Sequence, residues 1–316
     1  MYPDAVYDKL VNKSVDGWRL NQLYCEEILL SKTQVNSIVK VVSYILAVTI
    51  RESDPLNSII LSEKVLDFLK PLEKGDNSKN IESQIVSMSQ ISGTSTKRLI
   101  IKELRYCKED LDKLLSLKNR EVVISLFPIN FEKDMKEIEN IIRYLEKKPS
   151  FIYEINDIGQ YNLLKNHLRI PIERIIGGQG IACYNHLSIK FLLEELGLND
   201  LSIPMEMDSR GVLKLVEQNN SLVSLRFTKL AKVPGMYSRA FSEEYFEGAR
   251  FEDKIGNILN VHKYKDINIF FLDEYYSSEE ATDLDGINMG ELISEVDCIN
   301  NASVKRKPFN LKRRLY

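Results

Sequence analysis

SFIYEINDIGQYNLLKNHLRIPIERIIGGQGIACYNHLSIKFLLEELGLNDLSIPMEMD, residues 150–208, contains one pattern twice over and the start of a third. Residues 150–155 are aromatic and β-branched, Asn156-Asp157-Ile158-Gly159 is turn chemistry, and residues 160–166 place Leu163 and Leu164 on a helical period. Residues 172–176 then read as a second strand, Gly177-Gly178-Gln179-Gly180 as a permissive loop, and residues 186–196 as a helix closed by Gly197. A third strand over 201–205 ends at Glu206, with Ser209 capping the next helix. Strand, polar loop and helix in strict alternation imply parallel strands, whose trailing residues face a common site.

Towards the amino terminus, residues 131–147 place Phe131, Met135, Ile138, Ile141, Ile142 and Leu145 on one face of a helix, and EVVISLF at 121–127 is the clearest strand. Residues 110–117 read as a helix, 85–91 as a strand, and NSIIL at 57–61 as the first strand, followed by an amphipathic helix through Leu69. Towards the carboxyl terminus, 222–227 reads as a strand, 249–261 as a β-hairpin around a polar turn, 267–272 as a strand and 289–294 as a short helix. This count of strands approaches the eight that a barrel of roughly 250 residues needs, and no GxGxxG follows the first strand to suggest an open doubly wound sheet. The expected fold is therefore α/β: a somewhat distorted (β/α)8 TIM-like barrel over 57–303, a helical extension over 1–55 packed outside it, and a basic tail over 304–316.

The chain has 316 residues, 44% hydrophobic and 28% charged, which is ordinary for a soluble globular protein. A net charge of -3 argues against a dedicated nucleic-acid binder. Cys25, Cys107, Cys183 and Cys298 are scattered without a CxxC pair, so the expectation is a reduced, cytoplasmic protein with neither disulfide framework nor structural zinc. No basic region followed by an apolar core opens the sequence, and the most apolar segment, 35–50, contains Lys40 and is too short to cross a bilayer.

On a barrel, Glu154, Asp157, Gln179, Asn185, Glu206 and Arg226 fall at or just after strand ends, where barrel enzymes keep their sites. Carboxylates converging there would hold a divalent cation or divide acid and base roles. Against this stands a structural reading, with Asp157 capping a helix and Glu206 pairing with Arg210 or Arg226. Glu206 ends an apolar strand and is expected inside the mouth, answered by Arg226, Arg239, a metal or a ligand. Cys183 lies three residues from His186, the minimal thiol-hydrolase spacing, yet cysteine is commonly buried and His186 begins a helix. His167 and His262 have no zinc-binding pattern. The tail holds six Lys or Arg around Pro308 and Phe309; it contacts RNA phosphate or an acidic partner, or is a solvated terminus.

Four pieces in order resemble the collagenase-like peptidase family (U thirty-two): Asp157-Ile158-Gly159 after one strand; the turn Ala182-Cys183-Tyr184-Asn185; the strand end Pro204-Met205-Glu206-Met207-Asp208; and Pro234-Gly235-Met236-Tyr237-Ser238-Arg239, followed by Ala240 where that family has cysteine. The resemblance covers roughly residues 57–300 and is closest to the UbiU and UbiV branch. That branch holds an iron–sulfur cluster through four cysteines. Here the early position is Ser95, the second is Ala240, and the insertion carrying the other two is missing. Neither Ser nor Ala supplies a thiolate, so the resemblance implies the barrel and a binding cavity without the cluster; no cofactor is expected, apart from the divalent metal that the strand-end carboxylates would hold. It further implies roles for Tyr237 and Arg239, the latter as a fork for a carboxylate or phosphate. Two functions follow. One is an enzyme that modifies or cleaves a small molecule, peptide or RNA, using Glu206, Asp157 and Arg239. The other is a non-catalytic binding or scaffold subunit of a homo- or heterodimer within a larger complex.

Overall fold

Runs of three to six aliphatic residues are too short to bury themselves, and here each is handed on by a turn or helix to the next strand of one closed sheet. The structure, a computed structural model, describes residues 81–181, 183–219, 223–239, 248–252, 254, 256–279, 291–301 and 303–309, all within one compact unit, Phe68–Arg313. β1 (Ile81–Val86), β2 (Arg98–Ile101), β3 (Glu121–Ser125), β4 (Ile152–Ile155), β5 (Ile175–Gly177), β6 (Asp200–Ser202) and β7 (Ser224–Ser238) pair in chain order, all parallel. Three further strands, β8 (Arg250–Glu252), β9 (Ile258–Tyr264) and β10 (Ile267–Ser277), leave the barrel before β11 (Glu291–Glu295) returns to it. β11 pairs parallel with both β7 and β1, completing an eight-stranded parallel barrel. The expected (β/α)8 architecture is the one observed.

The helices are α1 (Lys108–Ser116), α2 (Glu132–Leu145), α3 (Ile158–Tyr161, continued by a π-helical turn over Asn162–His167), α4 (His186–Glu194), α5 (Ser209–Gln218) and α6 (Val296–Asn300). Period two sorts the strand residues into two layers. Leu99, Ile101, Val122, Ile124, Tyr153 and Ile155 face outward, in one buried cluster with Leu111, Ile138, Ile142 and Leu145 of α1 and α2. The alternate residues Ile85, Ile100, Val123, Ile176 and Ile293 form a separate cluster inside the barrel. After α4 the chain turns at Gly197, whose φ of 73° suits a residue without a Cβ.

β7 has two tasks. Its first half, up to Leu230, pairs with β6 and β11 inside the barrel; its second half, Leu230 to Ser238, runs beyond the barrel and pairs antiparallel with β10. β9 joins β10 through the two-residue turn Lys265-Asp266, with Lys265 at φ 52° as a tight hairpin demands, and β8 joins β9. This antiparallel sheet lies over the carboxyl-terminal rim of the barrel. Tyr264, Ile267 and Ile269 pack on Phe127, Ile129 and Phe131, which follow β3, and the Tyr264 hydroxyl donates to the Leu104 carbonyl beyond β2.

Several elements differ from the sequence expectation. Of the expected helix over 289–294, the described residues 291–294 are strand: Glu291, Ile293 and Glu295 alternate inward as β11, because the barrel interior here accepts carboxylates. Asp208, not Ser209, caps α5, its Oδ1 accepting from the Gly211 amide at 2.6 Å. Residues 172–174 are a single 3-10 turn, so β5 spans only Ile175–Gly177. The first barrel strand is β1 at Ile81; both its edges are taken, by β11 and β2, and the barrel is complete without residues 57–61. That segment and the expected helices of 1–55 lie outside the described residues. Among the described residues no helix is long and apolar enough to cross a membrane.

Candidate functional site

Strand parity places several charged residues on the barrel axis, where an isolated charge is costly. They answer one another. Arg226, fully buried, donates from Nη1 to Glu154 Oε2 at 2.5 Å and from Nη2 to the Gly177 carbonyl at 2.6 Å, and its Nε stands 2.7 Å from Asp200 Oδ1, angled as an ion pair and not as a hydrogen bond. Glu154 Oε1 takes the Ser125 hydroxyl at 2.5 Å. Arg98 contacts Glu291, lies 2.9 Å from Glu121 and 3.6 Å from Asp200. Burial pushes the Glu154 carboxyl up, but Arg226 and the Ser125 hydroxyl overcome it and hold it below the usual carboxylate range. At Glu291 burial wins over Arg226 and Arg98, and its carboxyl sits above that range. Arg226 therefore lies inside the barrel, near the start of β7, and not at the mouth where the sequence placed it.

Most of the polar residues just beyond the strand ends hold the loops. Asp157 caps α3, accepting from the Gln160 amide at 3.0 Å, and Asn185 caps α4, accepting from the Ser188 amide at 2.9 Å. Gln179 donates to Thr228 Oγ1 at 2.8 Å and accepts from the Met205 amide at 3.1 Å, tying the loops after β5 and β6 to β7. Glu206 is exposed in the turn after β6, not inside the mouth, and accepts from the Tyr184 hydroxyl at 3.3 Å. Cys183 is fully buried, and burial pushes its thiol up to about 12, far from a thiolate at neutral pH. Ser95 is exposed and Ala240 lies outside the described residues. His167 is exposed, 3.4 Å from Glu139. Among the described residues no group of three or more His, Cys, Asp or Glu is placed to hold a metal ion.

A second constellation lies where the sheet meets the rim. His262 on β9 pairs with Glu103 beyond β2, Nε2 to Oε2 at 2.7 Å, both side chains partly exposed. Glu103 has φ 56°, a conformation a non-glycine residue adopts only when its surroundings enforce it. Register puts His262 opposite Ile269 and Ile269 opposite Tyr237, so the three side chains share one cross-strand row on the face turned to the barrel. The Tyr237 ring meets Phe127 edge-on at 5.8 Å. Burial, then the fields of Glu103 and Glu206, push its phenol up to about 12, so it stays protonated at neutral pH. Arg239 places its guanidinium over the Phe131 ring at 4.1 Å, a cation–π contact that fastens the sheet to the rim. A carboxylate-held imidazole can take and return a proton, and a protonated phenol in its row can donate one. The sequence pointed to Tyr237 and missed this pair, whose partners are 159 residues apart. The one local signal, a histidine among the mixed residues of ILNVHKY, is common.

The expected basic tail is partly tied down. β12 (Arg306–Lys307) pairs parallel with β10; Lys307 and Lys305 reach Glu274 at 2.5 and 3.7 Å, and Arg306 reaches Glu279 at 3.1 Å. In this part of the tail the acidic partner is the chain itself. No protein-family model matches the chain, and neither a curated protein nor a solved structure matches it.

Proposed function

We propose that the chain is a cluster-less barrel enzyme of the collagenase-like peptidase type, performing proton-transfer chemistry on a small molecule, peptide or RNA at the rim of its carboxyl-terminal mouth. The observation that carries this is the Glu103–His262 pair: an imidazole held at 2.7 Å by a carboxylate from a strained backbone position, at the end of the barrel where such enzymes work. Glu103 orients the ring, His262 moves the proton, and Tyr237 donates a hydrogen bond to the reacting oxygen or nitrogen. Glu206, beside Tyr184 and near enough for its field to reach the Tyr237 phenol, serves as a binding group.

One observation favours the second reading, a non-catalytic subunit of a heteromeric complex. Asp157, Asn185 and Gln179 are occupied as caps and staples, and the antiparallel sheet covers part of the rim. Incubating the purified protein with peptide, nucleoside and metabolite mixtures, with mass spectrometry as the readout, separates the two. On the enzyme reading a component is consumed, and His262→Asn and Tyr237→Phe each slow its consumption about 100- to 10,000-fold with melting temperature preserved. A component that binds tightly and is recovered unchanged, equally by wild type and both variants, would leave the scaffold reading standing.

A further inference from the structure

The barrel is closed by its last strand. β11 enters between β7 and β1 after the excursion through β8, β9 and β10, and its pairing with β7 slips register between Ile293 and Ser294. Its first residue, Glu291, is only 1% exposed. Oε2 of that carboxyl takes Arg98; Oε1 is buried, and the neighbouring Ser83 hydroxyl, which acts to lower the carboxyl, is not aligned for a hydrogen bond, so burial still prevails.

The groups around it come from six strands. Ser83 on β1, Arg98 on β2, Glu121 on β3, Glu154 on β4, Asp200 on β6 and Arg226 on β7 all bear on the same interior. Glu154 is met by Arg226 and the Ser125 hydroxyl, and Asp200 by both guanidinium groups. Arg98 is shared with Glu121, whose side chain is partly exposed at the start of β3. Three interior carboxylates thus face two guanidinium groups, and Glu291, on the closing strand, is the most buried of the three. An excess charge in such a place is relieved by a proton.

We propose that Glu291 is a proton-dependent latch of the barrel: protonated it fits the seam, and its ionisation loosens β11 from β7 and β1. Because β7 is both the seam strand and the base of the antiparallel sheet, loosening there reaches the sheet above the mouth. The linkage has a definite sign. A carboxyl whose folded-state pKa is raised gives its full contribution below the ordinary carboxylate range, about 4.3, and loses it as pH rises from there through the folded value. Burial raises Glu291 in this sense.

The test compares wild type with Glu291→Gln, the neutral isostere, in melting temperature and in hydrogen exchange at residues 291–295 from about pH 5 to about pH 9. Subtracting the variant removes the other titrating groups. The expected result is a difference that grows with pH, the variant melting higher by about 3 °C or more at the alkaline end, and wild-type exchange at 291–295 rising above the variant's. A constant difference, or a variant that melts lower throughout, would mean that Glu291 is ionised and simply paired with Arg98. Should the variant fail to fold, difference infrared spectra of wild type decide it: a carboxylic-acid carbonyl band that bleaches with rising pH supports the latch, and its absence overturns it.

Discussion

Replacing Arg226 by methionine is expected to destabilise the protein by about 3–5 kcal/mol, the cost of stranding buried charges whose partner has been removed. Methionine approximates the volume, so the loss is not a cavity effect. Glu154 keeps only the Ser125 hydroxyl, Asp200 keeps Arg98 at 3.6 Å, and the Gly177 carbonyl loses its donor. Arg226→Lys rescues little, since one ammonium cannot reach three acceptors lying in different directions. The measurement is urea unfolding: the midpoint falls with the slope unchanged. Adding Glu154→Gln and Asp200→Asn to Arg226→Met removes the stranded charges and recovers most of the loss. A single variant within about 1 kcal/mol of wild type would mean that the pairs are hydrated and the axis is not a low-dielectric interior. Acid also undoes this arrangement. Glu154 is held below the ordinary carboxylate range, so its contribution is present above that range and is lost as pH falls through the lowered value.

Gly180→Ala is expected to cost about 3 kcal/mol although Gly180 is exposed, because the added Cβ meets backbone at a distance that only movement of the loop can relieve. A Cβ at Gly180 would lie 2.2 Å from the Asn156 carbonyl oxygen, a backbone atom that cannot rotate aside. Moving it would break the bond from the Gly180 amide to Asn156 Oδ1 and disturb Asn156 Nδ2, which donates to the Leu126 carbonyl. Gly93→Ala is the control, with no atom within 4 Å of its Cβ. Thermal melts of the two should separate by about 6 °C or more. If they coincide, the loop after β5 can shift and the glycines there serve only flexibility.

The barrel was readable because its strand-and-helix alternation is a local signal. EVVISLF and the Phe131–Leu145 face state their period within a few turns. β11 was not readable for the opposite reason: ELISE has glutamates at both ends, and its alternation appears only once the interior is known to accept Glu291. The extension of β7 was hidden by Lys229, Lys232 and Pro234-Gly235, which read as a break although the strand continues past them as one layer of the sheet over the rim. Tyr237 was legible at the site and the Glu103–His262 pair was not, because no window of sequence contains both partners. Glu154 and Arg226 were read as strand-end residues at the mouth, whereas they pair with each other inside the barrel; strand parity alone does not say whether a buried charge meets a ligand or another side chain.

The six residues of the axial network belong to β2, β3, β4, β6, β7 and β11, with Arg98 and Glu291 separated by 193 positions. Neighbouring strands supply Arg98–Glu121, across β2 and β3, and Arg226–Asp200, across β6 and β7, but Arg226–Glu154 and Arg98–Glu291 join strands that are not neighbours and are made only as the barrel closes. These closing pairs are expected to form after the rate-limiting step and to act on the lifetime of the native state. Arg226→Met should accordingly raise the unfolding rate by nearly the whole equilibrium effect, with refolding in dilute urea almost unchanged. The interior charges would be a device for staying folded, without being one for finding the fold.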